Sequence, residues 1–304
     1  MLYKMTIAPQ SSIGTPFRSD TLFGHACWAI RFNEGDERLE EFLKNAREQK
    51  PELIFSDGFP SGFLPKPQVP VHFKQLKSPE EVRRFKNFNK LKWIKKQTAV
   101  EKNWNFEKIF ASDFESISND ALTQAQYHNV IDRMSGTTSE DALFTTNAQW
   151  FFDEWEEVDI YIYTDWEKKR LGLFVENLFS IGYGKDQTTG SGKIKIVNKP
   201  ELIEVPKGET GFYLVLSRLV PDSSVDLEAS FYDIEAKHGK VWNALETMNP
   251  FKKPIMQIIP GSVIKTDSLK LITGRVLEEI ADDSRVIENC FSILYPLPKE
   301  VFDE

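Results

Sequence analysis

Residues 158–197 read VDIYIYTDWEKKRLGLFVENLFSIGYGKDQTTGSGKIKIV. VDIYIYT alternates as a strand, and Trp166 to Phe179 has the apolar spacing of an amphipathic helix. A glycine-rich loop then runs into KIKIV, a second strand. Outward from this unit, Leu2–Ala8 predicts an opening strand. Gly14 and Pro16 break the chain behind it, and SDTLFGHACWAIRF predicts a helix with Ser19 or Asp20 as N-cap and Phe23, Ala26, Cys27 and Ile30 on one face. Glu37–Lys50 is a charged helical stretch ended by Pro51. The segment GFPSGFLPKPQVP predicts an ordered loop with anchoring aromatics. Residues 127–152 predict a projecting β-hairpin around a polar SGTTSED tip. Further strands are expected at Phe212–Ser217, Ile255–Ile259 and Phe291–Tyr295. Few helices and widely spaced strands predict an α+β fold with antiparallel sheets. A second unit is expected to begin at residue 156, giving domains 1–155 and 156–304.

Composition sets the class. The chain has 304 residues, 40% of them hydrophobic and 12% aromatic, enough apolar area for a sizeable core. No run approaches the roughly 18 to 20 apolar residues of a bilayer span. The start MLYKMTIAPQ lacks signal-peptide character, so a cytoplasmic protein without membrane contact is expected. Cys27 and Cys290 sit among apolar residues and predict reduced, packed thiols.

The net charge of −8 argues against a protein that coats nucleic acid over its whole surface. Its distribution is uneven. His72 to Lys108 holds 11 Lys and Arg against 4 Asp and Glu, a local balance of +7, whereas Arg275 to Glu304 holds 3 against 8. One region can hold a polyanion while another repels it or faces a basic protein. Trp93 and Trp104 beside Lys95 and Lys96 suit backbone contact with stacking, although such a lysine run is most often solvated surface.

In the glycine loop, Gly182, Gly184, Gly190 and Gly192 with Lys185, Ser191 and Lys193 predict open backbone N–H donors and cations, the chemistry for cradling phosphates. A plain connection that needs glycines for positive φ is the alternative. A P-loop is excluded because Gln187 and Ile194 stand where Gly and Ser or Thr are required. The loop follows a helix and opens a strand, which also excludes a dinucleotide fingerprint. His25 could serve as a general base, but it stands alone within a helix, where packing or hydrogen bonding is the commoner role. His72, His128 and His238 are scattered and make no zinc spacing. Asp153, Glu154, Glu156, Glu157 and Asp159 read as a solvated acidic face rather than a magnesium site.

FRSDTLFGHACWAI (17–30), SGFLPKP (61–67), HNVIDRMSGT (128–137), SIGYGKDQTTGSGK (180–193) and KKPIMQIIPGSV (252–263) occur in this order. Together they resemble the RAMP superfamily of CRISPR-associated proteins, and within it the fourth, Cas five-like subunits of type III-A (Csm) effector complexes. The resemblance implies two ferredoxin-like (RRM-like) domains with a β-hairpin thumb and no nuclease chemistry or cofactor. It implies a subunit that caps the 5′ repeat-derived handle of the crRNA. Such a subunit joins the large Palm-domain (polymerase/cyclase-like) subunit to the first backbone RAMP subunit, with target RNA nearby. Carried onto this chain, the handle would meet Gly182, Tyr183, Gly184, Lys185, Thr188, Thr189, Gly190, Ser191, Gly192 and Lys193. Asn129 and Arg133 on the hairpin would lie near the boundary of handle and guide. Arg18, Ser19 and Lys66 would line the same face, with Lys252 and Lys253 as weaker candidates. The competing readings are a metal-independent, repeat-cleaving RAMP endoribonuclease using His25, and a subunit that only bridges proteins.

Overall fold

The computed structural model describes residues 1–71, 78–112, 116–117, 120–131, 133–138, 143–187, 190–206, 208, 210–241, 249–267 and 271–302. Thr188, Thr189, His72 and part of the hairpin tip lie outside them. In chain order, β1 (Leu2–Pro9) leads to α1 (Ser19–Glu34) and α2 (Asp36–Arg47). The proline-rich stretch forms only the short strands β2 (Leu53–Phe55), β3 (Phe59–Pro60) and β4 (Phe63–Pro65). The basic region folds as α3 (Pro79–Asn89), β5 (Trp93–Lys95), α4 (Lys96–Glu101) and α5 (Phe106–Ala111), followed by β6 (Ser116–Ile117). The arms of the expected hairpin are β7 (Leu122–His128) and β8 (Phe144–Trp150). β9 (Val158–Thr164), α6 (Lys168–Ser180) and β10 (Ile194–Leu202) follow. The remainder is β11 (Phe212–Val215), β12 (Val225–Phe231), β13 (Ile234–Lys237), β14 (Ile255–Ile258), β15 (Val263–Thr266), β16 (Ile272–Leu277) and β17 (Glu288–Pro296).

The α+β expectation with antiparallel sheets is met. The first main sheet has the order β10-β1-β9-β2, with β3 also on β9. α1 and α2 lie in the connection from β1 to β2, and α6 lies between β9 and β10. The second has the order β12-β15-β11-β17-β16. Among the described residues after β10 there is no α-helix.

The boundary expected at residue 155/156 is corrected by strand pairing. β1 hydrogen-bonds to β9 on one side and to β10 on the other, so residues 158–202 complete the sheet that the N-terminus begins. The local pattern of 158–197 shows a strand, a helix and a strand, but the partner of those strands is 151 to 199 positions distant in sequence. The two sheets also share apolar packing: Met5, Ile160 and Leu171 belong to the same core cluster as Leu216, Val263 and Ile293.

Helix α1 forms where its apolar spacing predicts, burying Leu22, Phe23, Ala26, Ala29 and Ile30. Its cap differs from expectation. The N-cap position is Arg18, and the first-turn amide of Ser19 donates instead to Asp57 Oδ1 at 2.8 Å. Asp159, expected on a solvated face, is buried in β9, while Asp153, Glu154 and Glu156 are exposed. The Asp159 carboxylate accepts from Thr6 Oγ1 (2.7 Å), Lys4 Nζ (3.1 Å), Ser61 Oγ (3.2 Å) and the Gly62 amide (2.9 Å). A buried carboxylate with this many donors is a structural node. Both cysteines are unbridged, with thiols pushed up to about 12 by burial.

Glu52, just before β2, ties α2 to the start of α6. Its carboxylate accepts from Arg38, from Asn45 Nδ2 (2.9 Å) and from Trp166 Nε1 (2.9 Å). Burial raises the carboxyl, but these donors outweigh it and hold it at about 2. The folded value lies below the ordinary 4.5, so the stabilisation is present above about pH 4.5 and is lost as the pH falls towards 2. Glu52→Gln is expected to cost about 1 to 2 kcal/mol at pH 7, given the partial solvent screening of the site. Paired urea melts of the two proteins should converge between pH 4.5 and 2.5; a gap independent of pH would refute this role.

Candidate RNA-binding surface

One face of the first sheet is closed to stacking. Register places Lys4 opposite Tyr161 and Thr6 opposite Asp159, so these four side chains share one face of the first sheet. Lys96 Nζ lies over the Tyr161 and Tyr295 rings, 5.4 and 5.6 Å from their centroids, and Phe59 packs 6.3 Å from Tyr161. Tyr161, Phe59 and Tyr295 are all buried. No base can stack on rings that the protein already covers.

The glycine loop folds back on the turn that follows β1, and this corrects the expected open amides. Gly182 N donates to Phe179 O, Tyr183 N to Gly192 O, Gly192 N to Ser12 O and Ser191 N to Asp186 O. Side chains take the next three: Gly184 N donates to His25 Nε2 (3.1 Å), Lys185 N to Thr15 Oγ1 (3.0 Å) and Lys193 N to Ser11 Oγ (3.0 Å). An amide engaged by protein does not cradle a phosphate. The glycines are required for the folding-back itself. Gly192 has φ +73°, and a Cβ there would stand 2.1 Å from Tyr183 O. Gly184 has φ +78°, with Thr15 Cβ 2.9 Å from the same notional atom.

Tyr183 is wholly buried beneath the loop. It stacks on Phe17 at 4.8 Å, and its hydroxyl donates to Pro16 O at 2.8 Å. Among the described residues of the loop, Gly190, Lys185 and Lys193 face outward, while Ser191 is half-buried and reaches Ser12 Oγ at 3.4 Å. The loop therefore offers lysine side chains to a ligand, with Asp186 Oδ2 3.9 Å from Lys185 Nζ.

His25 is 4.7 Å from the Tyr183 ring, and burial lowers its imidazole to about 4. Its Nε2 lone pair accepts the Gly184 amide, so it is a neutral acceptor that positions the loop, and the atom a general base would use is occupied. Among the described residues, no group of three His, Cys, Asp or Glu could hold a metal ion.

Other expected site residues take separate places. Arg18 reaches Glu235 Oε1 at 2.7 Å, and the buried Ser19 accepts the Arg218 amide at its Oγ. Lys66 donates to Phe88 O at the end of α3 (3.0 Å), with its ammonium 4.6 Å from the Phe88 ring and pulled down to about 8 by burial. That position serves the C-terminus of α3. Lys252 turns inward to Glu288 Oε2 at 2.7 Å, while Lys253 is exposed. Asn129 and Arg133 are exposed near the hairpin tip, where Asn129 Nδ2 donates to Thr138 Oγ1 (3.3 Å) and Ile131 bridges Thr138. Trp104, a stacking candidate, is 2% exposed and closed to a base, while Trp93 is half-buried and packs edge-on against Trp155 at 5.4 Å.

Sequence reasoning missed Ser11, Ser12 and Thr15, the acceptors that anchor the loop. Their only signal was the polar run QSSIGT beside the first strand. Two variants check this anchoring. Gly192→Ala is expected to destabilise by about 3 kcal/mol or more, read as a thermal shift. His25→Ala is expected to cost about 1 to 2 kcal/mol by orphaning the Gly184 amide, without altering any RNA product on a gel. Unchanged melting of both would show the loop to be loosely held.

No protein-family model matches the chain, and no curated protein matches it significantly. Solved structures do. One is a chain of a Csm1–Csm4 cassette in complex with AMPPNP, with 16% identity, TM-score 0.56 and 98% of each chain covered. A chain of a Csm3–Csm4 subcomplex of the type III-A CRISPR-Cas interference complex gives 15% identity and TM-score 0.57, covering 97% of this chain and 99% of that one. A chain of a type III-B Cmr-beta complex bound to cognate target RNA and AMPPnP gives 15% identity and TM-score 0.51 over 86% of each. At such identities the likeness is one of fold, and in the two Csm assemblies it spans nearly the whole chain. The chain has the fold of the chains it matches in these Csm and Cmr assemblies.

Proposed function

We propose that the chain is a non-catalytic, crRNA-binding subunit of a type III CRISPR effector complex. In this reading it holds the 5′ repeat-derived handle and links the large Palm-domain subunit to the backbone filament. The observation that carries it is the near-complete, two-way coverage of chains from Csm1–Csm4 and Csm3–Csm4 assemblies. The order β10-β1-β9-β2 with helices in the two crossovers supports a ferredoxin-like first unit. The second main sheet is read as its RRM-like companion.

Handle binding in this reading uses side-chain cations at the loop rather than its amides. Lys185, Lys193 and Lys195 are exposed along the loop and the start of β10, and the β7–β8 hairpin carries Asn129 and Arg133. Thr188, Thr189 and Lys253 remain candidates on the resemblance alone. The occupied His25 Nε2 and the enclosed Tyr183 hydroxyl favour binding without cleavage over a His25 endoribonuclease.

The test uses the full chain with the large and backbone subunits and a handle-bearing guide RNA. Lys185→Glu with Lys193→Glu is expected to weaken handle binding about tenfold or more at low salt, and less at high salt. Crosslinks from handle nucleotides should fall on residues 180–195 and 127–140. Unchanged handle binding in the double variant would remove the loop from the site, and cleavage of repeat RNA abolished by His25→Ala would replace the reading with an endoribonuclease.

A further inference from the structure

We infer that the outer face of α3 is a second RNA contact, a sequence-independent phosphate rail separate from the glycine loop. This rests on the charge and geometry of α3 itself and does not need the handle reading to hold.

The helix has two opposed faces. Phe85 and Phe88 point inward: Phe88 is 1% exposed and meets Phe106 and Phe110 edge-on at 6.0 and 5.7 Å, and Phe85 meets Phe110 at 6.3 Å. Arg83, Lys86 and Lys90 follow at spacings of three and four residues, which puts them on one face roughly opposite Phe88. Lys90 is the C-cap and keeps right-handed helical φ and ψ of −82° and −7°, so it continues the row. All three are exposed, and none has an ion pair or side-chain hydrogen bond among the described residues. The row spans about 10 Å along the helix axis.

Cations in the last turn complement the helix dipole, which accounts for Lys86 and Lys90 in part. It does not account for Arg83 in mid-helix, nor for the lack of carboxylate partners in a chain whose net charge is −8. The acids of α3 itself, Glu80 and Glu81, sit in its first turn.

The chemistry of the row favours a polynucleotide over an acidic protein. A protein interface draws its energy from apolar or aromatic anchors in a desolvated centre. Here the aromatic side chains of α3 face inward, Trp104 is covered and Trp93 is half-buried against Trp155. A phosphate backbone needs only fixed cations, and contacts of that kind position a strand without reading its sequence.

The experiment measures binding of the full chain to a single-stranded RNA of arbitrary sequence between 50 and 300 mM salt. Arg83→Gln, Lys86→Gln and Lys90→Gln are combined; the substitutions are exposed and keep good helix formers, and circular dichroism confirms folding. The expected result is a salt slope shallower by about 2, with the same loss for scrambled and handle-bearing RNA, so that the handle preference is unchanged. In the Lys185 and Lys193 variant the handle preference falls instead, which separates failure of this inference from failure of the handle reading. An unchanged salt slope in the triple variant overturns the phosphate rail. Loss of binding to poly-glutamate with intact RNA binding also overturns it and assigns the row to an acidic protein.

Discussion

The ionic seam between the two main sheets holds the rest of the molecule in register. Asp57 accepts the Ser19 amide at the start of α1 and the Arg218 Nε at 2.9 Å, while Arg218 Nη1 reaches Glu235 at 2.6 Å. Lys237 Nζ lies 2.7 Å from Asp20 and 2.6 Å from Glu288, which also takes Lys252. Burial pushes the Asp20 carboxyl up, and Lys237, Arg218 and Gln257 outweigh it, leaving it below its ordinary value. Burial likewise lowers Arg218 and Lys237, and their carboxylates more than restore them. Removing one member of such a seam strands a buried charge at about 3 to 5 kcal/mol, so the seam acts as a single unit.

This seam decides what the Arg18-Ser19-Asp20 run is for. By its chemistry it could face a polyanion, yet Ser19 and Asp20 are buried in the join and only Arg18 is partly open. The same join brings Tyr295 of β17 against Lys96 and the Tyr161 side of the first sheet. The aromatic rings on that sheet face are thereby turned into core, while exposed cations remain on the glycine loop, the hairpin and α3. The glycine loop shows the same economy of backbone donors, its amides closing onto Ser11, Ser12, Thr15 and His25 while its lysines remain outside.

Several elements were legible because their causes are local. The i, i+4 and i+7 recurrence of Phe23, Cys27 and Ile30 places α1, and the alternation around SGTTSED places the β7–β8 hairpin. The proline and glycine punctuation of 55–71 forbids anything longer than β2, β3 and β4. The short strands β12, β13, β15 and β16 were not singled out, since VDLEASF, IEAK, VIKT and ITGRVL each break their apolar residues with a charged one, whereas the equally short β11 and β14, FYLV and IMQI, carry none.

The sequence by itself determined the α+β class, the main helices, the uneven charge and the blocks that resemble a RAMP protein, because periodicity, turn chemistry and residue order are properties of neighbouring residues. Only the tertiary structure decided that β9 and β10 complete the sheet of β1, that the amides of residues 182–185 and 191–193 are engaged, that Asp159 is buried and that Trp104 is closed to bases. Each of these depends on which distant segment supplies the partner, and the free energy of a hydrogen bond or a buried ring is set by that partner rather than by the residue's neighbours in the chain.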